Sequence, residues 1–138
     1  MSAASTLPAS RARRWTGRTL GTLVVLFLLF DGVFKCTGAA PVAEASAQLG
    51  LPQHLSVPIG VLELLLVALY LLPATSVLGA TLLTGYLGGA TVLHVRVGDP
   101  LFSHVLFPIY VGLLLWGALW LREPRLRALL PLRAGSAS

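Results

Sequence analysis

Seven ionisable side chains, Asp31, Lys35, Glu63, His94, Arg96, Asp99 and His104, stand in or beside long apolar stretches of this 138-residue chain. A charge in hydrocarbon costs at least a few kcal/mol on insertion scales, so such a residue faces a protein interior or a ligand unless it can reach the interface. Asp31 and Lys35 are four positions apart, the acid-before-base order that pairs on one helix face. Lys35 can also snorkel to the membrane surface while neutralising Asp31. Glu63 has no such relief. Its helix offers no basic residue three or four positions away and its neighbours are Val61, Leu62, Leu64 and Leu65, so it needs a partner from another helix or a proton. Tyr70, seven residues on, extends the same face two turns deeper. His94 and His104 each lie within about one turn of a helix end. The chemistry open to Glu63, Asp31, Lys35, His94, Arg96, His104 and Tyr70 is proton handling or the binding of a small molecule by titratable walls. A metal site is not expected, because no His-x-x-x-His or Glu-x-x-His pairing is present. Ser103 beside His104 does not have the geometry of a nucleophile and its base.

The elements that position these residues are four apolar spans at 19–38, 55–72, 76–95 and 101–121, each near the ~20 residues a helix needs to cross a bilayer. The chain is 56% hydrophobic and 11% charged, with a mean hydropathy of +0.84. That composition predicts a single all-α membrane domain, an antiparallel four-helix bundle over 15–133, and excludes a separate soluble enzyme domain. If the spans alternate in direction, all seven ionisable residues share one end of the bundle. Glu63 then lies roughly 12 Å below the start of its span and Asp31 roughly 10 Å below the end of its own, so the carboxylates occupy one layer. Arg96 and Asp99 are close enough along the chain to pair at the surface, a contact worth little alone.

The formal charge of +5 does not imply nucleic acid, because the arginines cluster at the chain ends and not along a helix face. Arg11, Arg13, Arg14 and Arg18 precede the first span and Arg122, Arg125, Arg127 and Arg133 follow the last, which places both termini in the cytoplasm. Trp15, Trp116 and Trp120 mark the same interface. Residues 1–14 and 134–138 read as unstructured tails. Between the first two spans, Pro41 opens and Gly50 and Pro52 close a short helix outside the membrane. The third span carries Gly85-x-x-x-Gly89, a small-residue pattern that predicts close internal helix packing. Pro108, two turns into the fourth span, is expected to kink it and free the His104 carbonyl. The one cysteine, Cys36, excludes a disulfide within the chain. A cleaved signal peptide is disfavoured by Asp31 and Lys35 inside the first apolar stretch and Pro41 after it.

The segments Leu-Phe-Leu-Leu-Phe-Asp-Gly-Val-Phe-Lys (26–35), Ile-Gly-Val-Leu-Glu-Leu (59–64), Thr-Gly-Tyr-Leu-Gly-Gly-Ala (84–90), His-Val-Arg-Val-Gly-Asp-Pro (94–100) and Arg-Glu-Pro-Arg-Leu-Arg (122–127), in this order, resemble the DoxX-like family of small bacterial four-helix membrane proteins. The resemblance implies a multi-pass protein of the inner membrane. Through the family's name-giving subunit of a thiosulfate-quinone oxidoreductase, it also implies a link to quinone and a redox partner protein. The layout is similar to membrane oxidoreductases of the vitamin K epoxide reductase type, whose paired cysteines this chain lacks. Three functions fit: an accessory subunit holding a quinone-like ligand for a redox partner, a small carrier of an apolar or weakly acidic solute, or a structural anchor. A homo-oligomer is compatible with each. No paired haem histidines, Cys motif or nucleotide loop equips the chain as an autonomous redox enzyme.

Overall fold

The computed structural model describes residues 7–129. In chain order it forms α1 (Leu7–Cys36), α2 (Ala40–Gln48), a 3₁₀ turn (Gln53–Leu55), α3 (Ser56–Leu71), α4 (Ser76–Val97), a π-helical turn (Leu101–Val105), α5 (Phe107–Arg122) and α6 (Pro124–Leu129). Four stretches are long and apolar enough to cross a membrane: Arg11–Cys36, Gln53–Leu71, Ser76–Val97 and Leu101–Arg122. These are the four predicted spans with adjusted ends, in an all-α bundle. α1 packs on α3 and α5, and α4 packs on the same two helices, so the spans form a ring in the order α1, α3, α4, α5. Short connections make ring neighbours antiparallel. One end of the bundle therefore carries the two described chain ends, and the other carries α2 and the turn from α4 to α5; these are the terminal end and the connector end.

The ring's axis is filled by Val24 and Leu28 of α1, Leu66, Val67 and Tyr70 of α3, Ala80, Leu83 and Leu87 of α4, and Val111, Leu115 and Leu119 of α5. Large apolar side chains such as Leu23, Phe30, Leu65, Leu78 and Leu113 point outward, as helices solvated by hydrocarbon require. Close approach is achieved at glycines of α1, α3 and α4. A Cβ built at Gly60 would lie 2.7 Å from the Gly32 carbonyl oxygen and 2.8 Å from Lys35 Cβ, and one at Gly79 would collide with the backbone of Tyr70.

Several expectations change. Residues 7–14, expected without structure, continue α1, since arginine and alanine are strong helix formers; residues 1–6 and 130–138 lie outside the described residues. The Gly85-x-x-x-Gly89 pattern does not mediate packing: a Cβ at Gly85, Gly88 or Gly89 would meet nothing within 4 Å. Pro108 does not kink a continuous helix. The fourth span is divided at Leu106, and Pro108 stands in the first turn of α5, where a missing N–H is no loss.

α2 was expected and is present, with Pro41 in its first turn. It is fastened at two points, by a buried 2.9 Å hydrogen bond between the Ser46 and Ser56 hydroxyls and by Arg96, whose Nη2 donates to the Leu49 carbonyl at 2.6 Å. α6 was not anticipated. Pro124 ends α5, and Arg127 folds back to donate to the Leu121 carbonyl at 2.8 Å, satisfying one of the acceptors left at the end of α5.

Candidate functional site

The last two turns of α1 cross α3 at Gly32 and Gly60, and each glycine stands three residues before a charged one, Lys35 and Glu63. Backbone approach at the glycines thus brings the lysine over the glutamate. Lys35 Nζ donates to Glu63 Oε2 at 2.8 Å, to Tyr86 Oη at 2.9 Å and to Asp31 Oδ2 one turn earlier on its own helix. Tyr86, from α4, donates its own hydroxyl to Glu63 Oε2 at 2.8 Å. All three N–H donors of the ammonium are engaged, as is the phenol proton.

Exposure falls along this group, from 38% for the Asp31 side chain through 26% for Lys35 to 0% for Glu63. The four residues form a polar line from the accessible surface of the bundle to its interior. The line ends on an unmet acceptor. Glu63 Oε2 takes two donors, while Oε1 is buried with no hydrogen-bond partner among the described residues. A carboxylate oxygen in that position ordinarily costs the full desolvation of the group. Its environment favours the arrival of a donor: a proton, a water, or a ligand hydroxyl.

The other candidates form a second group or stand apart. Gly98 adopts a left-handed backbone with φ of 76° and turns the chain so that the Asp99 N–H meets the His94 carbonyl at 3.1 Å. The same turn lays Asp99 Oδ2 2.6 Å from His94 Nδ1. His104 stacks edge-on to His94, with ring centroids 5.9 Å apart, and its Nδ1 lies 2.8 Å from Ser103 Oγ. Neither histidine hydrogen-bonds the Lys35–Glu63 group. Arg96 does not pair with Asp99 as anticipated; it holds α2 instead, and Asp99 is taken by His94. Tyr70 faces inward like Glu63 but does not join it. Its hydroxyl donates to the Leu115 carbonyl at 3.1 Å, and its ring lies under the Arg122 guanidinium at 5.0 Å, towards the terminal end.

Tyr86 was the residue missed. The sequence signal was a polar tip in the middle of an apolar span, at a depth from which a phenol can reach the layer of Glu63. Among the described residues, no three His, Cys, Asp or Glu side chains converge as a metal ion would require. Glu63 does not line either of two cavities that open on the described bundle. One, of about 240 Å³, is a groove between α4 and α5 over Leu87, Gly88, Pro108, Gly112 and Trp116; the other, of about 220 Å³, lies at the terminal end.

Four apolar spans closed in an antiparallel ring around a charged interior layer define a multi-pass membrane protein of the four-helix class. Within that class the chain belongs to the DoxX-like family, whose model matches residues 19–118. No curated protein and no solved structure matches it.

Proposed function

We propose that the chain is a non-autonomous membrane subunit that holds a quinone-like or weakly acidic small molecule and passes protons to and from it through Glu63. The observation that carries this reading is the buried, unpartnered Oε1 of Glu63 at the inner end of the line from Asp31 through Lys35. Reduction of a quinone consumes two electrons and two protons. The line from Asp31 through Lys35 to Glu63 supports a route for the protons, and the reading assigns the electrons to a partner protein. The apolar groove between α4 and α5, lined by Leu87, Leu113 and Trp116, offers room for an apolar tail. Native mass spectrometry of the protein purified in mild detergent, with and without added benzoquinone, tests the reading. A retained or captured quinone is expected; a chain that takes up none contradicts it.

The same reading sets the terminal end in the cytoplasm of an inner membrane, on the strength of the arginines gathered there. A cysteine placed at the exposed position 45 of α2, in a Cys36-free background, is expected to react with an impermeant thiol reagent from outside. Reaction only from the cytoplasm would reverse the orientation.

A further inference from the structure

At the opposite end from Glu63, all four spans contribute to the cavity of about 220 Å³ lined by Arg18 of α1, Tyr70 and Leu71 of α3, Ser76 of α4, and Leu119, Arg122 and Glu123 at the end of α5. Two of its walls are guanidinium groups. Among the described residues the ion pairs are those of Lys35 with Asp31 and Glu63 and of His94 with Asp99, so neither arginine has a described carboxylate oxygen within 4.0 Å, although the Glu123 side chain lines the same cavity. Arg122 is half-buried and lies over the face of Tyr70. Arg18 lies over Trp15, with its guanidinium carbon 5.7 Å from the ring centroid, at the depth where indoles mark the membrane interface.

Arg11, Arg13, Arg14 and Arg125 are exposed, as is Arg18, and Arg127 is taken up by the backbone of α5. What distinguishes Arg18 and Arg122 among the described arginines at this end is that they line the cavity. A half-buried cation without a counter-ion is costly, and a guanidinium presents a planar fork that matches phosphate oxygens. Glu123 also lines the cavity, and one of its oxygens accepts from the Arg125 N–H at 3.3 Å. With two arginines and one glutamate the lining is one charge positive, which a single phosphodiester neutralises. The cavity is smaller than the ~300–1,000 Å³ that engulfs a drug-sized ligand, so it suits a headgroup whose remainder lies outside. Outside is Leu71, on the cavity's rim and 52% exposed, next to Leu72 at 56%, an apolar surface for acyl chains.

We propose that this cavity is a binding site for the phosphodiester headgroup of an anionic phospholipid, held between Arg18 and Arg122. The site is independent of the Glu63 reading. Basic pockets between membrane helices have the chemistry for such headgroups, with each arginine near the surface worth about 1 kcal/mol, or roughly a fivefold change in affinity. The test is native mass spectrometry of the full chain in mild detergent titrated with phosphatidylglycerol or phosphatidylcholine, alongside Arg18→Gln, Arg122→Gln and Arg14→Gln. Wild type is expected to retain phosphatidylglycerol in preference to phosphatidylcholine. Arg18→Gln and Arg122→Gln are each expected to retain about fivefold less, and Arg14→Gln as much as wild type. Because Arg18 is exposed, its variant decides the matter even if Arg122→Gln folds poorly. Equal loss in all three variants would reduce the effect to general surface charge, and equal retention of the two lipids would remove the requirement for an anion; either result overturns the proposal. Inorganic phosphate that displaces phosphatidylglycerol at equal concentration would show a soluble phosphate site and overturn the lipid assignment.

Discussion

Lys35 satisfies Asp31, Glu63 and Tyr86 with one ammonium group, so removing it strands a fully buried carboxylate. Lys35→Met is expected to cost about 3–5 kcal/mol of stability, the usual penalty for leaving one member of a buried pair unpaired. The double variant Lys35→Met with Glu63→Leu is expected to recover most of that loss, because both charges leave together. Denaturation of wild type, Lys35→Met, Glu63→Leu and the double variant in one detergent checks this; costs that simply add in the double variant would show that the two residues are not coupled. Tyr86→Phe removes a single hydrogen-bonding group and is expected to cost about 1 kcal/mol. Asp31, Lys35 and Glu63 were legible in the sequence because a charge stands out against valine and leucine. Tyr86 was not, because most of a tyrosine is at home in an apolar helix. The separation of His94 and His104 from Glu63 was also hidden. It depends on the rotation of each helix about its axis, and spans that are apolar on every side carry little periodicity to reveal it.

Helix packing is governed by which glycines meet a neighbour. Gly60→Ala sets a methyl group 2.7 Å from the Gly32 carbonyl oxygen and 2.9 Å from Cys36 Sγ, and overpacking of this kind costs about 1–3 kcal/mol. The same change would move Lys35 away from Glu63, so loss of stability and of any proton-linked ligand binding should go together. Gly85→Leu, where nothing lies within 4 Å, is expected to leave the unfolding temperature near that of wild type. Equal destabilisation by both variants would place Gly85 at an interface between helices or between copies of the chain. Gly85-x-x-x-Gly89 was visible in the sequence, but a small-residue pattern states only that close approach is possible. Inside and outside of a membrane helix are equally apolar, so nothing local tells which face meets protein. The π-helical turn at Leu101–Val105 was likewise unread. Pro108 signalled a break, but its distance from the true start of α5 could not be seen while the span was read as continuous.

At the scale of the whole molecule, the number, order and near-limits of the spans followed from sequence because hydrocarbon thickness and backbone hydrogen bonding leave a chain this apolar few alternatives. The bundle then divides its polar chemistry between its ends. The connector end holds a neutralising network that stops at Glu63 Oε1, and the terminal end holds a cavity lined by Arg18, Arg122 and Glu123. Of these, the claim that Glu63 exchanges a proton with a bound molecule is central. Calorimetric titration of a short-tailed benzoquinone and its reduced hydroquinone into the detergent-purified protein, repeated in buffers of different ionisation enthalpy, counts the protons taken up or released on binding. The expected result is a buffer-dependent heat for the wild type that disappears in folded Glu63→Gln, a variant of the same size that cannot titrate. Binding heats that are independent of buffer, or identical in wild type and Glu63→Gln, would contradict the assignment of Glu63 as the proton-exchanging group.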